Sequence, residues 1–273
     1  MNAVTNAQVW HRRLDHLHAQ SLDILRKRYG TGITFERAVS DCGVCAVGKA
    51  QQLAHPKMAN HYVNRPFLLC YGDLMGPFMP VTICGYKYVS KITDEYTKWT
   101  AVYLLTINDK ALQSLQLFVG STAIPFGGRI VCWRADKGGE YTGEEFRQSF
   151  LETGIIQEFV ATNTPQQIGV SEAVGRTLYA MVWCMLADSC FPSSMWEELF
   201  MTAAHLKNRT PNKALKMETP FRMLHGEEAD LSHLRVIGAR TFVNIKDSRK
   251  LTAAAWEGKV CGYSEERKSY RVW

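Results

Sequence analysis

No stretch of this 273-residue chain approaches the ~20 consecutive apolar residues that a membrane-spanning helix needs. Its amino terminus, Met1-Asn2-Ala3-Val4-Thr5-Asn6, has no secretory apolar region, so the sequence predicts a soluble protein. Internal repeats, low-complexity tracts and lipidation signals are missing as well, which excludes repeat arrays and acylated anchors. A disulfide framework is excluded in turn. The eight cysteines are scattered except for Cys42 and Cys45, a pattern that suits a reducing compartment and one metal site. Neither sign of charge dominates: the net +6 divides into +4 over residues 1–60, −2 over residues 61–228 and +4 over residues 229–273. Basic flanks around a slightly acidic middle suit a chain that holds a polyanion while its centre gathers cations. With 46% hydrophobic residues, the length suffices for one sizeable core plus small appendages.

The stretch from Trp133 to Arg176 organises what is there. Arg129-Ile130-Val131-Cys132-Trp133 reads as a short buried strand, which puts Asp136 at a strand's C-terminal end, where open α/β sheets carry their sites. Glu172 lies thirty-six positions on, ahead of Val174, Leu178, Met181, Val182, Met185 and Leu186 at helical spacing, and is expected in a helix's first turn. Asp73 ends the apolar run Phe67-Leu68-Leu69-Cys70-Tyr71 and precedes a Gly76-Pro77 turn. Any one of these carboxylates could be a helix cap. Three of them on strand and helix ends form the oxygen-rich cluster that hard divalent cations require.

The words around these residues resemble the motifs of the integrases of Copia-type retrotransposons, members of the retroviral integrase group. They are Gly72-Asp73-Leu74-Met75-Gly76-Pro77, Asp136-Lys137-Gly138-Gly139-Glu140-Tyr141 and the stretch from Thr164-Pro165-Gln166-Gln167-Ile168 to Ser171-Glu172. The resemblance implies an Asp, Asp, Glu triad at Asp73, Asp136 and Glu172 in a ribonuclease-H-like core. It also implies two Mg2+ (or Mn2+) ions about 3.5–4 Å apart, with Asp73 assigned to bridge both. The implied reaction is DNA 3′-end processing followed by strand transfer, without a covalent protein intermediate. Double-stranded DNA, as element end and as target, is the implied partner of a homo-oligomer that acts in the nucleus after a stage in cytoplasmic particles. Lys137, Gln166, Gln167 and Arg176 would contact the DNA. Arg176, one helical turn past Glu172, is the best-placed phosphate ligand. The chain departs from the family wording at Lys137, at Ile168 and at Ala173-Val174-Gly175, changes that remove groups expected to face DNA. Gly175 would also cost a helix roughly 1 kcal/mol relative to Ala.

Ahead of this core, Leu14, Leu17, Leu22, Leu25 and Tyr29 predict one or two short amphipathic helices stopped by Gly30, with His11 and His16 among them. In Asp41-Cys42-Gly43-Val44-Cys45, two intervening residues let both thiolates turn back onto one ion. So short a segment has little core of its own, and a tetrahedral Zn2+ would supply its folding energy. The order His, His, Cys, Cys resembles the zinc-binding pre-integrase domain of the same family, on His11, His16, Cys42 and Cys45. His18 is the alternative second histidine, while His55 and His61 read as surface or linker residues.

Residues 50–66 read as a linker. A β-meander is expected over Val81-Thr82-Ile83, Tyr86 to Ile92 and Trp99 to Leu105, with Asp94 as a turn residue. Helices are expected around Leu112 to Phe118, from Glu144 to Leu151, through Ala187, and from near Pro192 with Trp196, Leu199, Phe200, Ala203 and Leu206 inward. The tail alternates short segments, Arg235-Val236-Ile237, Thr241 to Ile245, Lys259-Val260-Cys261 and Tyr270-Arg271-Val272, and resembles the family's small SH3-like β-barrel. The expected organisation is a zinc-binding domain over 1–60, a catalytic core over 61–228 and a possibly truncated SH3-like unit over 229–273. Because the sequence stops at Trp273 without polymerase sequence, a polyprotein fragment or a decayed genomic copy is expected. Three functions compete: an integrase, a catalytically silent DNA-binding or interaction scaffold, and a zinc-dependent regulator built on residues 1–60, which leaves the carboxylates unexplained.

Overall fold

The computed structural model describes residues 6–35, 42–49, 63–136, 141, 143–159, 165–246, 253–264 and 269–273, with residues 109 and 165–170 described by backbone alone. Two short helices, α1 (Ala7–Arg13) and α2 (Ala19–Lys27), open it and α3 (Gly43–Gly48) follows. The side chains of Asn6 and His18 accept from the Gln8 and Gln20 N–H groups and so cap α1 and α2.

Strands β1 (Leu69–Met75), β2 (Tyr88–Asp94), β3 (Thr100–Leu105), β4 (Cys132–Ala135) and β5 (Ile156–Phe159) form one sheet in the order β3-β2-β1-β4-β5. The first three pair antiparallel, while β4 and β5 run parallel to β1. Parallel neighbours need crossovers, supplied here through α4 (Ala111–Phe118) and α5 (Glu144–Thr153). Two glutamates in the first turn of α5 and left-handed Gly154 at its end fit its dipole and its stop. Together these elements make the mixed ribonuclease-H-like sheet, with strands first and helices later.

The period of two along β2 separates the layers. Ser90 points to α4, 2.6 Å from the Ser114 hydroxyl, and Ile92 packs with Leu115, Phe118, Trp133, Phe146 and Phe150. Val89 points the other way, to α6 (Pro165–Ser189) and α7 (Trp196–Asn208), among Leu178, Met181, Met185, Leu199 and Phe200. Trp10, Leu14, Leu22 and Leu25 join that same cluster, as do Val260, Cys261 and Tyr263 of the tail. Burial of each large side chain stabilises by roughly 1.5–3 kcal/mol, so the amino-terminal helices and the tail depend on α6 and α7 for their core. After α8 (Pro220–His225), the tail folds as a three-stranded antiparallel sheet of β6 (Arg240–Asn244), β7 (Ala255–Tyr263) and β8 (Tyr270–Val272).

Four expectations fail. Val81-Thr82-Ile83 is no strand: the Gly85 N–H donates to the Thr82 carbonyl (2.9 Å) and the Tyr86 N–H to the Thr82 hydroxyl (3.0 Å), so a tight turn satisfies the backbone locally. Arg235-Val236-Ile237 is no strand either. The Arg235 N–H donates to the Tyr263 hydroxyl, which donates to the Arg235 carbonyl, and a side chain therefore replaces a ladder partner. Glu172 is not in a first turn, because α6 begins at Pro165. Proline is tolerated at a helix start, where its missing N–H costs nothing, and this sets Glu172 about two turns inside. Asp94 is the last residue of β2, paired with Cys70, rather than a residue of the connecting segment; its fully buried side chain accepts from the N–H groups of Phe67 and Thr97 and from the Thr97 hydroxyl and so holds the turn that follows.

Candidate active site and metal centre

Asp73 lies inside β1, and Asp136 directly follows β4. The parallel register pairs Tyr71 with Arg134, and carried two residues further it sets Asp73 beside Asp136 on the same face of the sheet. Glu172 arrives from α6, and one concavity is lined by Gly72, Asp73, Arg134, Ala135, Asp136, Ser171 and Glu172. The three predicted carboxylates are thus brought together. Gly72 is required beside Asp73, since a Cβ there would stand 2.0 Å from the buried Trp133 ring. Arg134 is held by Glu158 at 2.6 Å and lies over the Tyr71 ring, which fixes the floor between β1, β4 and β5.

A buried lysine also belongs to this site and was missed from the sequence. Lys91 is the cross-strand partner of Asp73, is fully buried, and brings its Nζ to 2.7 Å from Asp73 Oδ2. It also donates to the Ser171 carbonyl. Burial holds the Lys91 pKa below the usual lysine range, against the opposing pull of Asp73 and Glu172. The available signal was a lysine within the apolar alternation of β2, on the face that carries Val89.

Gly175 corrects a second reading. It is buried rather than turned to a DNA-facing surface, and a Cβ there would lie 3.0 Å from Lys91 Nζ. The helix penalty of this glycine is therefore matched by room for the lysine. Ala173 is exposed, and Arg176 is exposed 3.8 Å from Glu172. Lys137 lies outside the described residues, as do the side chains of Gln166, Gln167 and Ile168. The three carboxylates suit Mg2+ or Mn2+ by donor type, and one of the two Asp73 oxygens, Oδ2, is engaged by the Lys91 ammonium.

The amino-terminal unit gathers a second donor set. The ligand atoms of His11, His16, Cys42 and Cys45 all lie within 4.8 Å of one another. Cys45 Sγ is 3.4 Å from His11 Nε2, and Cys42 Sγ is 3.3 Å from His16 Nδ1. A tetrahedron with Zn–S of 2.3 Å and Zn–N near 2.0 Å has N···S edges of about 3.5 Å, so these four donors fit zinc. His11 Nδ1 bonds the Leu17 carbonyl at 2.7 Å, which leaves Nε2 as the lone-pair nitrogen toward the cluster. Lys49 donates to the carbonyls of Asp15 and His16 and ties the far end of α3 to the histidine loop. Burial pushes the His16 pKa down to about 4 and the Cys45 thiol up to about 11. The imidazoles are therefore ready to ligate, whereas metal binding must expel thiol protons. His18 is not part of this cluster: it caps α2 instead.

No protein-family model matches the chain. The chain is 32% identical, over 98% of its length, to the retrovirus-related Pol polyprotein from transposon TNT 1-94 of Nicotiana tabacum, and covers 20% of that protein. It is 24% identical over 96% of its length to the Pol polyprotein from transposon RE1 of Arabidopsis thaliana, of which it covers 18%. The chain thus spans about a fifth of the length of the curated relatives it matches. Its fold matches a chain of the simian T-cell lymphotropic virus intasome solved in complex with PP2A regulatory subunit B56 gamma, with a TM-score of 0.51 and 16% identity over 80% of this chain and 76% of that one. Over nearly its whole length the chain is thus similar to a segment of the retrovirus-related Pol polyproteins of plant Copia-type transposons, and its fold is that of a chain of a retroviral intasome.

Proposed function

We propose that the chain is an integrase segment that processes and joins DNA ends, with Asp73, Asp136 and Glu172 as its catalytic carboxylates. The observation that carries this reading is their convergence on one concavity from a strand interior, a strand end and a helix. Divalent ions bound there, Mg2+ or Mn2+, supply charge neutralisation and polarisation at the phosphodiester. Asp73 is held on a strand paired on both sides, which fixes its carboxylate to within sheet tolerance, and Asp136 extends from the neighbouring strand. Glu172 closes the set from α6 and, being exposed, is open to a DNA end. Arg176 stands one turn further along the same helix to meet a phosphate, with Lys137, Gln166 and Gln167 as further DNA contacts.

In this reading residues 1–60 form a zinc-stabilised domain, 61–228 the core and 229–273 an SH3-like unit. The partner is double-stranded DNA, engaged by a homo-oligomer in the nucleus. Among the described residues no helix is long and apolar enough to cross a membrane. The test is a strand-transfer assay with zinc-loaded protein, a matched DNA end and Mg2+ or Mn2+. Transfer that Asp136→Asn abolishes supports the reading, and DNA binding without transfer at any divalent concentration overturns it. One observation favours the second reading, a silent DNA-binding scaffold: the Asp73 carboxylate is already neutralised by a buried lysine.

A further inference from the structure

Lys91 is a charge at this site for which the metal chemistry has no role, and unlike Arg134 it bonds one of the carboxylates of the triad. It stands opposite Asp73 in the β1–β2 ladder, and its ammonium bridges Asp73 Oδ2 at 2.7 Å to the carbonyl of Ser171, the residue before Glu172. It therefore joins the strand that carries one carboxylate to the helix that carries another. The helix is shaped for this bridge. A Cβ at position 175 would stand 3.0 Å from Lys91 Nζ, 3.3 Å from Met75 Sδ and 3.7 Å from Asp73 Oδ2, so glycine leaves the ammonium its space. Two cations competing for one carboxylate oxygen at contact distance repel, and the lysine, being fully buried, has no solvent of its own to screen it.

We propose that the Lys91 ammonium is the resident cation of the carboxylate site, holding Asp73 and α6 together in place of a divalent ion and competing with Mg2+ or Mn2+ for the Asp73 oxygen. The proposal rests on reading Asp73, Asp136 and Glu172 as metal donors. It makes the site assembled but poor in divalent affinity, and it makes residue 91 the position that sets how much metal is needed.

The test measures Mn2+ binding by electron paramagnetic resonance, and Mg2+ binding by calorimetry, on the full zinc-loaded chain. Lys91→Met removes the charge and keeps an unbranched stem, and it is expected to bind Mn2+ at least roughly tenfold more tightly than the natural protein. Adding Asp136→Asn to Lys91→Met should remove the gain, which locates the ion in the concavity. Millimolar Mg2+ should raise the thermal midpoint of Lys91→Met and leave that of the natural protein in place. Equally tight binding by both proteins overturns the proposal. Should Lys91→Met fail to fold, Asp73→Asn in the natural chain decides: a stranded buried ammonium lowers the midpoint in metal-free buffer, whereas an unchanged or higher midpoint overturns the proposal. Metal binding gained without DNA transfer leaves the proposal standing and removes the transferase reading. Tight binding with transfer by the natural protein does the reverse.

Discussion

Arg12 on α1 and Asp188 near the end of α6 are joined by two parallel hydrogen bonds, Nε to Oδ2 at 2.8 Å and Nη2 to Oδ1 at 2.9 Å. A planar guanidinium meets a carboxylate in this fork geometry with fixed orientation, so the pair sets the angle at which the amino-terminal unit docks. Arg12 is partly exposed, and Arg12→Ala should cost about 1 kcal/mol in a chemical-denaturation midpoint. A double-mutant cycle with Asp188→Ala should then return a coupling of similar size. Additive losses would mean that the fork contributes no docking energy.

The shared core alters what zinc removal should do. Because Trp10, Leu14, Leu22 and Leu25 pack with Leu178, Met181 and Phe200, loosening the amino-terminal unit withdraws apolar cover from α6 and α7. Cys42→Ser should release one tightly held zinc and lower the thermal midpoint of the whole chain, rather than of residues 1–60 alone. Metal analysis and near-ultraviolet circular dichroism check this. A protein that lacks zinc yet unfolds at the natural midpoint would reject the four-ligand site.

Glu172→Gln isolates chemistry from folding. Glu172 is exposed and meets Arg176 at a loose 3.8 Å, so the substitution should leave the thermal midpoint within about 0.5 kcal/mol equivalent. Divalent-dependent cleavage and transfer should disappear while DNA binding stays equal or strengthens, since one negative charge is gone. Retained cleavage would remove Glu172 from the site.

His205 gives the fold an acid limit. It is buried against Tyr263, with ring centroids 4.9 Å apart, and among the described residues neither ring nitrogen has a hydrogen-bond partner. Burial first, then the positive charges of Arg209 and His233, push its pKa down to about 2. The unfolded chain takes up this proton near pH 6.5 and the folded chain does not, so stability is complete above pH 6.5 and falls as pH drops toward 2. At pH 4.5 the loss reaches up to about 2.7 kcal/mol, two pH units at about 1.36 each. His205→Phe should flatten that part of the acid slope, as measured by urea midpoints at pH 7 and pH 4.5 relative to the natural chain. Equal slopes would mean that His205 is protonated in the folded state.

What the sequence by itself determined is whatever is local in the chain. The apolar run ahead of Asp73, the strand before Asp136, the helical spacing after Glu172 and the short step from Cys42 to Cys45 each follow from periodicity and turn chemistry within a few residues. They sufficed for the strand-then-helix order and for which carboxylates and zinc donors to consider. At Arg235 the sequence misled because a distant side chain intervened: the Tyr263 hydroxyl took the backbone that would have paired as a strand, whereas at Val81-Thr82-Ile83 a local turn replaced the ladder. Only the tertiary structure brings His16 rather than His18 beside the Cys42 thiol, because that proximity rests on which imidazole reaches it across a loop. It alone joined the amino-terminal unit to α6, through contacts more than 170 positions apart. It also turned Lys91 and Gly175 from a strand residue and a helix defect into two halves of one contact, since register and helix approach bring together residues that sequence distance keeps apart.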